Sequence, residues 1–223
     1  MVAKKETKEG EKSKSVTIPA PKFGRAKFLI KGDVLVVHRF SRKTQEQMKQ
    51  KMETGKAASS KKNREAKLTD DLFNEARYVS KEGWDGFHAA AIRNAMISAC
   101  RLVNFKMTLA KLSIFVEADG CDALEPQIPL IRIKGKAVKQ EDMGRVSTGQ
   151  PYVIVRPAYF NWSAEVRIRW DEDQFTLEDI SNLLSRVGAQ VGICEGRPDS
   201  PNSAGMGWGL FEIARTDEKA VAA

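Results

Sequence analysis

At 223 residues and a formal net charge of +8, the chain is long enough for one domain with elaborations and basic enough to suit a polyanionic partner. Residues 1–27 carry eight Lys/Arg against three Glu, residues 39–67 carry ten against three, and the remainder is mildly acidic. No apolar run reaches membrane-spanning length, the charged N-terminal stretch lacks a secretory h-region, and three cysteines without paired spacing suit a reducing compartment. A soluble, cytoplasmic protein with no membrane partner is the expectation.

Residues 1–22 are rich in Lys, Glu and Ser and bury too little to offset their ordering entropy, so a disordered basic tail is expected there, and a second tail over 215–223. Residues 26–38 form the first strong strand pattern, apolar on both faces and so central in a sheet. Residues 42–77 read as an insertion: a helical stretch with Met48 and Met52 one turn apart, a Gly/Ala/Ser break, and the basic cluster Lys61, Lys62, Arg64 and Lys67. Residues 86–103 alternate at helical spacing through Ile92, Ala95, Met96, Ala99 and Val103. Strands are predicted over 112–117, 130–134, 152–156 and 164–170, with a polar excursion over 135–150.

The last structured stretch, residues 176–213, reads helix, turn, strand, glycine-rich loop, strand. Thr176 and Asp179 make a capping-box pattern ahead of Leu177, Ile180, Leu184 and Val187, and Gly188 is placed to end that helix. A short strand is predicted to start at Gln190 and to run into a turn at Pro198. Gly205, Gly207 and Gly209 then strip side chains from one face, which suits either a ligand-facing loop or a plain hairpin. Without its insertions, the order is strand, helix, strand, strand, helix, strand. This predicts an α+β fold, a ferredoxin-like/RRM-like antiparallel sheet backed by two helices, with a basic insertion after the first strand and a mid-chain hairpin insertion.

Catalytic chemistry is poorly represented. His38 and His88 have no metal-ligand spacing to a cysteine or carboxylate, there is no phosphate-cradling Gly-x-x-x-x-Gly-Lys motif, and Gly205-x-Gly-x-Gly209 falls between predicted strands instead of at a helix start. Neither a cofactor, a metal nor an enzymatic activity is expected; a metal-dependent nuclease at Glu141 and Asp142 is the weakest reading. Binding chemistry is plentiful. Arg39, Arg42, Lys43, Lys61, Lys62, Arg64 and Lys67 supply an arm able to neutralise phosphates, and Arg145 and Arg197 lie in polar turns where a guanidinium can clamp a phosphate or pair locally with Glu141 or Glu195. Tyr152, Tyr159, Phe160, Trp162 and Trp208 offer rings for base stacking or for the core.

Several motifs resemble a family of bacteriophage and prophage proteins: His38-Arg39-Phe40-Ser41, the stretch from Tyr78 through Gly86 to Arg93, Glu141 through Val146, Trp162-Ser163-Ala164, and Gly192 through Pro198 followed by Gly207 through Ile213. The match spans residues 24–214, with Cys194 and Gly196 departing from the pattern. Through the same architecture the chain is similar to the RAMP superfamily, the RNA-binding backbone proteins of CRISPR effector complexes. That resemblance implies an RRM-like core over 23–214, a glycine-rich loop before the last strand at Gly205–Gly209, single-stranded DNA or RNA as partner, and side-by-side self-association. It places no catalytic aspartate. The expected function is thus a phage-encoded, non-enzymatic coat for single-stranded nucleic acid; the alternative is a scaffold that uses the same surface for protein assembly.

Overall fold

The computed structural model describes residues 18–40, 42–54, 68–145, 149, 151–200 and 205–214. The expected tails over 1–22 and 215–223 lie outside these, apart from residues 18–22, as does most of the basic arm.

Two long strands organise the chain. β1 (Phe23–Val36) pairs antiparallel with β8 (Pro151–Asp171), from Phe23↔Asp171 through Gly32↔Trp162 to Val36↔Ala158. β4 (Ile114–Glu117) joins the outer side of β8, and β9 (Glu212–Ile213) joins the outer side of β1, so this sheet runs β4-β8-β1-β9 with every pair antiparallel. β7 (Ala137–Arg145) pairs with the N-terminal half of β8 as a hairpin. A second sheet runs β2-β3-β6-β5, from Tyr78–Val79, Asp85–His88, Pro129–Arg132 and Gly120–Cys121.

The helices are α1 (Arg42–Thr54), α2 (Thr69–Glu75), α3 (Ala90–Ala99), α4 (Met107–Ser113) and α5 (Leu177–Arg186). α3 packs on β4 and on α5, and α5 reaches β9. Even-numbered residues of the paired strands, Phe28, Ile30, Ala164, Val166, Ile168 and Trp170, are buried in the core with Ile92, Met96, Ile180 and Leu184 from these helices. α5 begins with the capping box expected of it: Thr176 Oγ1 accepts from the Asp179 N–H at 3.1 Å, and the Asp179 carboxylate accepts from the Thr176 N–H at 2.9 Å. The fold is therefore α+β, with antiparallel sheets and few helices.

Local readings fail where pairing outweighs pattern. The predicted helix over 86–103 begins late, because Asp85–His88 is strand β3; a Cβ on Gly86 would lie 2.7 Å from Ile131 O, a close approach that glycine permits. The polar excursion over 135–150 contains the nine-residue strand β7, which shows little alternation because it is half of a largely exposed hairpin. The separate strands predicted over 152–156 and 164–170 are one continuous β8. Beyond α5, the predicted strand from Gln190 is instead a π-turn over Val187–Val191 leading into irregular backbone, with Gly192, Cys194 and Gly196 at φ 71°, 60° and 66°. That backbone still lies along β1: Glu195 N–H donates to Val36 O (3.0 Å) and Gly209 N–H to Val34 O (2.8 Å).

Candidate nucleic-acid interface

Among the described residues, the other face of the β4-β8-β1 sheet has no helix over it. Odd-numbered residues project there: Phe23, Arg25, Lys27 and Lys31 from β1, Glu165, Arg167 and Arg169 from β8, Phe115 and Glu117 from β4. The register sets Phe115 directly opposite Arg169, with Phe23 two residues along from Arg25, the β1 partner of Arg169. The Arg169 guanidinium carbon consequently lies 4.9 Å from the centroids of both the Phe23 and Phe115 rings. The two rings are 6.0 Å apart and edge-to-face. Arg93 reaches round from α3, donating its Nε to Ile114 O at 2.9 Å and a terminal nitrogen to Lys111 O, with its guanidinium 5.9 Å from Phe115.

Phe23 keeps 44% of its surface exposed, so this is a platform and not a core. Around it, cations and carboxylates interleave: Arg25 lies 3.4 Å from Glu117, Lys27 3.8 Å from Glu165, and Arg167 2.6 Å from Asp119. Among the described residues no carboxylate pairs with Arg169 or Lys31, and Arg169 Nε is buried without a partner. Chemically, the cluster offers two ring faces and an unneutralised guanidinium held at fixed spacing, which suits a base stacked beside a phosphate.

The residues singled out from sequence are not gathered in one place. Arg39 does not serve the arm: it is 5% exposed, with its guanidinium 2.8 Å from Glu125 and 3.2 Å from the fully buried Asp122, and 5.7 Å from the Tyr78 ring. A cation next to two carboxylates and shielded from solvent is committed to the fold. Arg42 and Lys43 open α1, with side chains outside the described residues. Lys61, Lys62, Arg64 and Lys67 lie outside the described residues altogether, and Arg145 ends β7 with its side chain likewise outside them. Arg197 is half-buried and donates to Cys194 O at 2.8 Å, which closes its own turn and makes neither of the local carboxylate pairings expected of it.

The glycines separate. Gly209 (φ 73°) is buried, and a Cβ there would lie 1.9 Å from Ile193 O; the close approach it permits is to this chain's own backbone. Gly205 and Gly207 are exposed at φ 68° and 77°, and a Cβ on Gly207 would meet nothing within 4 Å. A valine at 207 would strain the backbone whether or not anything binds there, so it does not test a ligand-facing loop. Glu141 sits 3.5 Å from Lys139, while Asp142 accepts from Gln140 Nε2 at 3.1 Å and lies 3.6 Å from Arg156; no metal-holding group of His, Cys, Asp and Glu occurs among the described residues. Burial pushes the His38 and His88 pKa values down, and His88 Nδ1 accepts from the Ala90 N–H at 3.0 Å at the start of α3.

Of the rings proposed for stacking, Tyr159 and Trp162 are core residues, and Trp208 is half-buried, with its ring 2.4 Å from where a Cβ on Gly196 would stand. Tyr152 and Phe160 are 45% and 50% exposed. In sequence Phe23 and Phe115 each look like one more apolar strand residue; only the β4-β8-β1 register brings them to Arg169. Among the described residues no helix is long and apolar enough to cross a membrane.

No family model matches the chain. No curated protein matches it either. Among solved structures it is similar to a chain in the cryo-EM structure of the Type III-B Cmr-beta complex bound to cognate target RNA, with 10% identity and a TM-score of 0.39. That likeness covers 85% of this chain and 59% of the other.

Proposed function

We propose that this chain binds single-stranded nucleic acid without cleaving it, on the helix-free face of the β4-β8-β1 sheet. The observation that carries the reading is the Phe23–Arg169–Phe115 cluster, an exposed and a half-buried ring bracketing a guanidinium with no carboxylate partner among the described residues. The element order β1, α3, β4, β8, α5, β9 and the sheet order β4-β8-β1-β9 support a ferredoxin-like, RRM-like core as the scaffold for that face. The basic segments, +5 over residues 1–27 and +7 over 39–67, supply the long-range attraction. In this reading the protein works in the cytoplasm as a phage-encoded coat, several copies along one strand. The cross-strand ion pairs on the same face favour a second reading, a scaffold whose charges meet a protein partner instead.

Fluorescence anisotropy with labelled DNA and RNA oligonucleotides at several salt concentrations separates them. Phe23→Ala and Phe115→Ala are each expected to weaken binding by about 1–3 kcal/mol with little change in melting temperature. Arg169→Ala should flatten the salt slope by about 0.7, and loss of residues 42–67 by roughly 3 if four phosphate contacts go with them. Absence of binding by the wild type at low salt, or wild-type affinity in all three point variants, rejects the platform.

A further inference from the structure

β7 ends its sheet with an unused edge. It pairs with β8 alone, and no backbone partner meets its outer side among the described residues. Nine residues are long for an edge left unpaired among the described residues, and edges of this kind recruit further strands. Regular antiparallel geometry says which groups are on offer. Pro157 directs its carbonyl to Val37 N–H on β1 (3.1 Å), so its partner Lys139 makes no ladder bond with it. By alternation, Ala137, Lys139, Glu141, Met143 and Arg145 all present their N–H and C=O outward.

We infer that β7 is a homodimer interface, a second copy's β7 adding antiparallel along this edge about a two-fold axis centred on Gln140. Charge complements a second copy in this register. With the axis at Gln140, Lys139 faces Glu141 of the second copy and Glu141 faces its Lys139, while Ala137 faces Met143, whose side chain is 72% exposed in the single chain. Centring on Lys139 or on Glu141 puts a like charge against itself, and centring on Asp142 sets Lys139 opposite Arg145. Within one chain the half-exposed Lys139 donates to Asp70 at 2.7 Å and to Thr69 at 3.1 Å from α2 and lies 3.5 Å from Glu141, on the same side of the strand; the dimer adds a carboxylate from the second copy to that cluster. The contact is isologous and closes after two copies, giving one sheet continuous through both molecules. It leaves the Phe23–Arg169–Phe115 face open on each, so the dimer would present two copies of the proposed interface. The inference stands apart from the nucleic-acid reading, since it requires no ligand.

Sedimentation velocity of the full chain, free of nucleic acid, tests it over a concentration series. The wild type is expected to show a concentration-dependent dimer. Lys139→Glu and Glu141→Lys should each shift it to monomer, since each sets like charges opposite one another, and the double exchange should restore the dimer. Glu141→Pro removes one outward N–H without touching the β8 ladder and should also give a monomer, with circular dichroism unchanged. A wild type that is monomeric throughout, single variants that still dimerise, or a folded double exchange that stays monomeric overturns the inference. A monomer that binds oligonucleotides would sink the dimer alone; a dimer that binds none would sink the nucleic-acid reading alone.

Discussion

On one side of Gly32 and Trp162 the β1/β8 ribbon buries its even-numbered residues with α3 and α5; on the other it buries residues of both parities, Leu35, Val155 and Tyr159 as well as Val36 and Ala158, with α2 and the second sheet against β8. The register is the same in both halves, Gly32↔Trp162 and then Val34↔Phe160, so side chains alternate without a slip. What changes is that beyond Gly32 and Trp162 both faces of the ribbon carry buried residues. Asn161, at φ 49° in mid-strand, marks the crossover. The difference teaches that one strand pair can be covered on both faces in one half and on one face in the other within a single continuous core, and that among the described residues the helix-backed half is the one that keeps a bare face for binding.

Trp162 ties the halves together and gives the severest test of their independence. It is 1% exposed, with ring centroids 6.3 Å from both Phe87 of the second sheet and Phe211 of the terminal segment. Trp162→Ala should destabilise by about 3–5 kcal/mol. In native-state hydrogen exchange it should lower protection in α3 and in β3 together. Loss confined to one half would mean that the two halves of the core unfold separately.

Arg39→Ala sharpens the contrast from the other side. It would strand the fully buried Asp122, whose carboxylate also accepts the Leu124 and Glu125 N–H groups at 3.1 and 2.8 Å. A loss of about 3 kcal/mol is expected in denaturant titration. If the halves differ as described, the oligonucleotide salt slope stays at its wild-type value. A flattened slope without destabilisation would return Arg39 to the binding surface.

Acid gives the smallest effect and acts near the helix-backed half. The Ser98 hydroxyl and then the Arg101 guanidinium, at 2.6 Å, hold the Asp199 carboxyl below the usual range, tying α3 and the residues just after it to the loop beyond the π-turn. The Asp179 carboxyl is held down likewise by the Thr176 N–H and hydroxyl. A depressed carboxyl contributes stability above its unfolded pKa of about 4 and loses it as pH falls through the folded value. Asp199→Asn should remove under about 1 kcal/mol near pH 7 and reduce the drop in melting temperature between pH 5 and pH 2. An acid limb identical to wild type would show that this contact does not couple to folding.

What sequence alone determined here is local and periodic. Thr176 with Asp179 identified a helix start because a capping box satisfies its own donors within four residues. Ala164 through Trp170 alternated cleanly because one face is packed under helices and the other is bare, and the strand–helix order emerged from such periods. Tertiary structure decided what depends on partners far along the chain. Arg39 looks like any arm cation until Asp122 and Glu125, more than 80 residues away, enclose it. Residues 137–145 read only as a polar excursion within an expected mid-chain hairpin insertion, because an exposed hairpin strand takes its order from backbone pairing with β8, which imposes no apolar period. Gly209 and Gly207 are equivalent as letters, yet only one has Ile193 against it. The platform itself is a register effect: Phe23, Phe115 and Arg169 stand far apart in sequence, and the hydrogen-bond ladders of β1, β8 and β4 alone set their rings and guanidinium side by side.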